Sequence, residues 1–175
     1  MTIEKRAAQE VRAEGRKLEG YVATFGTETT IHDFKETIHP GAFKRSLASG
    51  KDVLALADHD PSRVLARTKS GTLRLTEDER GLKFSLDVPD TTAGRDILAL
   101  AARGDLGGMS FGFVVDPDGE EWRGDQRALT AVTLHEISVV QSWPAYSGTS
   151  VSVRARQNRT DADRRIALLE LEGSR

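Results

Sequence analysis

Between residues 81 and 88 apolar side chains occupy every second position, Leu82, Phe84, Leu86 and Val88, directly after the turn residues Glu79-Arg80-Gly81. That spacing suits a strand with one buried face and cannot build the apolar stripe of a helix. The same short-run texture recurs along the chain. Residues 16–25 alternate loosely around Tyr21 and Phe25, and 53–57 form a brief apolar run ending in Asp58-His59-Asp60-Pro61. Residues 63–68 and 72–76 flank Lys69-Ser70-Gly71 and read as a strand pair. Residues 109–115 are closed by Asp116-Pro117-Asp118-Gly119, and 131–140 form a second long strand. Three successive β segments around residues 63–88 predict an antiparallel meander.

Helical spacing interrupts this pattern in few places. Phe43 and Leu47 stand four apart after Pro40-Gly41, with Gly50 as a stop, and predict a short helix. Residues 92–103 pair Ile97 with Ala101 and Leu98 with Ala102, with Thr92 as the expected N-cap and Gly104 just beyond the end. A third, amphipathic helix is expected over 161–171, with Ala162, Ile166 and Leu169 on one side. No internal repeat is found. Many short strands with two or three helices predict a mostly β protein with flanking helices, all-β or α+β, rather than a parallel α/β sheet.

Chain length and composition limit the chemistry. A chain of 175 residues fits one domain with its own core. Hydrophobic residues at 38% and charged residues at 30% exclude a collagen-like or wholly disordered chain, and no run approaches the ~20 apolar residues of a membrane span. The first fifteen residues have no apolar signal region, so no export and no membrane partner are expected. With no cysteine present, thiolate nucleophiles and cysteine zinc sites are excluded, and any nucleophile is an oxygen or a nitrogen. Residues 1–17 and 151–175 each carry +2, which leaves −6 for residues 18–150. An acidic centre without a basic stripe argues against nucleic acid as a partner.

The residues left to carry chemistry are His, Ser and carboxylates. His59 stands at the end of an apolar run between two acids, where a neutral imidazole can accept a hydroxyl proton; the alternative is a surface turn chosen for its turn chemistry. Ser110 lies in Gly107-Gly108-Met109-Ser110-Phe111-Gly112-Phe113. Small residues there let a peptide backbone approach, and N–H groups near Gly108, Phe111 and Gly112 could hold an oxyanion; the alternative is a hairpin strand with Gly at a bulge. Alternation places His135 and Glu136 on opposite faces of one strand, so one of them can orient the base, or both face water on an edge. His32, His39 and His59 lack any metal-ligand spacing, so neither metal nor cofactor is expected.

Taken in order, Gly20-Tyr21, Pro40-Gly41-Ala42-Phe43, Leu56 with Asp58-His59-Asp60, Gly81-Leu82, Arg103-Gly104-Asp105-Leu106, Gly108-Met109-Ser110-Phe111-Gly112-Phe113, and Leu134-His135-Glu136-Ile137-Ser138-Val139-Val140 with Pro144-Ala145 resemble the HK97-family phage prohead proteases. These are caudovirus maturation serine proteases related in fold to the herpesvirus assemblins. The resemblance implies a small antiparallel β-barrel flanked by helices, with a polar N-terminal segment at 1–15, the protease domain at 16–153, and an Arg-rich linker and helix at 154–175. It implies a serine endopeptidase with Ser110 as nucleophile, His59 as base and Glu136 as third member, with His135 the alternative by analogy to herpes-type relatives. Asp58 stands where the family often has Asn. Implied partners are the major capsid and scaffold proteins as substrates, and the implied place of action is the assembling prohead in the host cytoplasm. A homodimer through the C-terminal helix and self-cleavage within 154–161 are left open. The rival reading is a non-catalytic capsid-assembly or scaffold-binding module on the same fold.

Overall fold

The computed structural model describes residues 3–8 and 10–142. The expected helix over 161–171, the self-cleavage region and Pro144-Ala145 lie outside the described residues. In chain order the first strands are β1 (Glu4–Ala8), β2 (Glu10–Glu14), β3 (Lys17–Thr24), β4 (Thr29–Ile31) and β5 (Phe34–Ile38), followed by helix α1 (Lys44–Ala48). Then come β6 (Leu54–Ala57), β7 (Asp60–Arg67), β8 (Leu73–Glu77) and β9 (Gly81–Asp87), and helix α2 (Thr92–Arg103). The last are β10 (Gly108–Val115), β11 (Glu120–Arg123), β12 (Gln126–Leu129) and β13 (Val132–Val140). The protein is mostly β with few helices.

The strands form three sheets, ordered β1-β10-β13-β6-β7, β11-β12-β5-β4 and β2-β3-β9-β8. Two expectations are corrected here. No closed barrel forms among the described residues, because the hydrogen-bonded ladders end at the edges of three separate sheets. The pairing is mostly antiparallel, as expected, with β13 parallel to β6 and β12 parallel to β5. The meander is also split. β7 joins the first sheet while β8 pairs with β9 in the third, so the turn at residues 68–72 carries the chain between sheets. Near the N-terminus β1 pairs with β10 and β2 with β3.

Local sequence signals explain the elements that matter for the site. In β9 the alternating Leu82, Phe84 and Leu86 are all buried, as their period requires. In α2 the side chain of Thr91, one residue before the expected cap, accepts the Gly94 N–H at 3.2 Å, and Gly104 closes the helix in the left-handed region at φ 75°. Strand β10 lies between β1 and β13 and is buried along Gly108–Phe113 on both faces, which erases any polar alternation. Phe111 and Phe113 stack at 5.3 Å, and Phe43 meets Phe111 edge-on at 5.8 Å. The intervening Ser110 and Gly112 therefore belong to the opposite face of β10.

Candidate active site

Three neighbouring strands of the first sheet and one turn build the site. Ser110 on β10 pairs directly with Ser138 on β13, and Gly112 pairs with Glu136. Residues directly opposite each other, and those two apart along one strand, share a face, so Ser110, Gly112, Ser138 and Glu136 lie together.

His59 reaches this face from the hairpin turn between β6 and β7. Ala57 pairs with Asp60, leaving Asp58 and His59 as a two-residue turn with φ of 51° and 60°. Both angles positive is the type I′ signature, usually met with Asn-Gly, and Asp and His are among the side chains that tolerate the left-handed region. Several bonds hold the turn. The Asp58 N–H donates to Val139 O at 3.0 Å, and the His59 N–H donates to Ser138 Oγ at 3.1 Å. The Asp58 carboxylate accepts from Gln141 N at 2.9 Å, from the Gln141 side-chain amide, and from Arg63 at 3.1 Å. Strain confined to a turn and secured from several sides is a common feature of functional sites.

The turn brings the imidazole to the carboxylate. His59 Nδ1 lies 2.7 Å from Glu136 Oε1, with side-chain exposures of 20% and 12%. The second carboxylate oxygen, Oε2, accepts the Ser138 hydroxyl at 2.6 Å. With Nδ1 engaged by the carboxylate, Nε2 is the ring nitrogen left to exchange a proton. Ser110 is buried, at 3% exposure.

His135 is placed differently. Pairing steps from Gly112 opposite Glu136 to Phe113 opposite Leu134, so His135 has no partner on β10 and is exposed. Simple alternation does not hold there; the irregularity, a β-bulge, sets His135 and Glu136 apart by register as well as by face. Phe111 and Gly112 have partners on both β1 and β13, whereas Gly108 is paired on the β13 side alone. His32 and His39 lie in the β4–β5 hairpin and after β5, and no group of three or more His, Asp or Glu among the described residues is placed to hold a metal ion.

The sequence offered Gly112 for backbone approach, whereas its contribution here is space, and it left one contributor, Ser138, unnamed. A methyl group on Gly112 would come 2.5 Å from Glu136 Oε1, so glycine there is what leaves room for the carboxylate. Ser138 was visible two residues beyond Glu136, at the spacing that puts it on the same face.

A hydroxyl and a half-buried carboxylate on one sheet face, with an imidazole against that carboxylate, are the groups that a serine hydrolase working through a base and its orienting acid would need. The chain belongs to the caudovirus prohead serine protease family, which matches residues 2–163. The fold is similar to the solved structure of the bacteriophage T4 capsid assembly protease, gp21, with a TM-score of 0.54 over 79% of this chain and 95% of that one, at 10% identity. No curated protein matches the sequence.

Proposed function

We propose that this protein is the endopeptidase that trims the major capsid and scaffold proteins inside the assembling prohead, in the host cytoplasm, with Ser110, His59 and Glu136 as its catalytic set. The observation that carries the assignment of the set is the 2.7 Å contact between His59 Nδ1 and Glu136, on the face that Ser110 shares. Family membership and the capsid-protease fold support the role in maturation.

The steps follow from the groups available. Nε2 of His59 takes the Ser110 proton as Oγ attacks the scissile carbonyl, and Glu136 stabilises the imidazolium that forms. The proton passes to the leaving amine, and water then attacks the acyl-enzyme by the same base. The oxyanion is assigned to the backbone N–H of Gly108, because those of Phe111 and Gly112 lie in a strand paired on both sides and that of Gly107 donates to Val140 O at 2.8 Å. Glu136 rather than His135 is the third member, since it is the one in contact with His59.

Co-expression of the wild type and of Ser110→Ala with the neighbouring major capsid protein, followed by intact-mass analysis of both chains, tests the proposal. Truncation of the capsid protein by the wild type alone is expected. Truncation by both would remove Ser110 from the mechanism, and truncation by neither would favour a non-catalytic assembly module.

A further inference from the structure

Ser138 is fully buried, at 0% exposure, and its hydroxyl makes two hydrogen bonds inside the site. It donates its proton to Glu136 Oε2 at 2.6 Å and accepts the His59 backbone N–H at 3.1 Å. Its Cα is the register partner of Ser110. We infer that Ser138 is a positioning residue, which through one hydroxyl fixes both the carboxylate that orients the base and the backbone that carries it. The inference rests on the protease reading above and names the residue that holds its base in place.

A carboxylate bonded through Oε1 alone can swing about its terminal torsion, carrying the imidazole with it. Engaging Oε2 as well fixes the carboxylate plane, and with it the plane in which Nδ1 must lie. His59 sits at φ 60°, a conformation that persists only where the surroundings hold it, and the Ser138 oxygen accepts the N–H of that same residue. A serine hydroxyl has one proton, and here it is committed to Glu136, so Ser138 holds the geometry without competing as a second nucleophile. A base displaced by a fraction of an ångström from the Ser110 proton slows acylation while leaving peptide binding intact.

The test uses the full chain and a fluorophosphonate, whose reaction forms the Ser110 Oγ–P bond, expels fluoride and passes the hydroxyl proton to His59. Labelling at saturating and sub-saturating probe separates the limiting rate from probe affinity. Ser138→Ala is expected to lower the limiting rate between about tenfold and a hundredfold with affinity unchanged. It should also shift or broaden the downfield His59 Nδ1–H proton resonance. Ser138→Thr, which keeps the hydroxyl, is expected to recover much of the rate.

Ser46→Ala provides the structural control. Ser46 is also buried, and its hydroxyl accepts the Leu134 N–H of β13 at 2.8 Å, a residue outside the proposed catalytic set. It should cost stability without changing the limiting rate or the resonance. Should the alanine variant not fold, Ser138→Cys is close in size and a far weaker donor, and the same loss of rate is expected of it. A wild-type limiting rate in Ser138→Ala or Ser138→Cys, or an equal loss in Ser46→Ala, overturns the positioning role. Absence of labelling in the wild type, or labelling that survives Ser110→Ala, overturns the protease reading instead.

Discussion

Gly112 lies directly across the sheet from Glu136, and a methyl group at Gly112 would stand 2.5 Å from Glu136 Oε1, the oxygen that meets His59. The absent side chain on one strand is therefore the space occupied by the carboxylate of the next. Gly112→Ala is expected to push the carboxylate off His59. Overpacking of this kind costs about 1–3 kcal/mol, so the variant should remain folded by circular dichroism while fluorophosphonate labelling of Ser110 slows markedly. Unchanged labelling would show that the carboxylate can move without consequence.

Glu136 and His135 are neighbours in sequence with opposite expected behaviour. Glu136→Gln keeps the size and removes the charge that the proposed mechanism uses to stabilise the imidazolium, and replacing the carboxylate of a Ser-His-acid set by an amide costs about 10⁴-fold in turnover. His135→Ala, at an exposed bulge, should leave turnover as it was. Capsid-protein cleavage by the two variants, measured side by side, checks both expectations; the reverse ranking would reassign the third member.

Asp58 anchors the turn that carries His59. Asp58→Ala removes the acceptor for Gln141 and Arg63 and places a less tolerant side chain at φ 51°. A loss of about 1–3 kcal/mol is expected from the urea midpoint. Activity should fall further than the unfolded fraction explains, because His59, the proposed base, loses its support.

Arg127 lies at the centre of a buried charge cluster that joins β1 to the second sheet. Its guanidinium donates to Glu4 at 2.6 and 2.8 Å, to Glu36 at 3.0 Å and to Glu120 at 2.6 Å, while Arg6 donates to Glu36 at 2.5 and 2.8 Å and to Glu4 at 2.9 Å. Arg127→Met leaves Glu4 and Glu36 short of a buried partner, and breaking such a pair from one side costs about 3–5 kcal/mol. Chemical denaturation of the variant is the measurement, and a loss below about 1 kcal/mol would mean that Arg6 alone satisfies both carboxylates.

Acid should weaken the same cluster. Burial pushes the Glu4 carboxyl upward, but the hydrogen bonds and charges of Arg127 and Arg6 outweigh it and hold the group below its ordinary value of 4.5. A carboxylate depressed on folding contributes stability that is fully present above the unfolded value and is lost as pH falls through the folded one. Stability should therefore decline below about pH 4.5. Between neutral pH and pH 3 the melting temperature of Glu4→Gln should fall less than that of the wild type; parallel curves would place the acid sensitivity elsewhere.

What the sequence determined by itself is local. Period-two spacing marked Gly81–Asp87, a cap and a left-handed glycine bounded Thr92–Arg103, and the end of an apolar run singled out His59. Ser110 and Glu136 stood out as candidates from their residue types and from the ordered resemblance. These signals act within a few residues, where spacing and backbone preference suffice. Only the tertiary structure decided the division into three sheets, the entry of β1 beside β10, and the bulge that separates His135 from Glu136. It gave the contact of His59 with Glu136 across 77 positions, which the resemblance had only named as a pair, and it alone joined Arg127 to Glu4 across 123. Such pairings depend on which strand edges meet and at what register. A one-residue shift turns every side chain to the other face, and no local pattern carries that information.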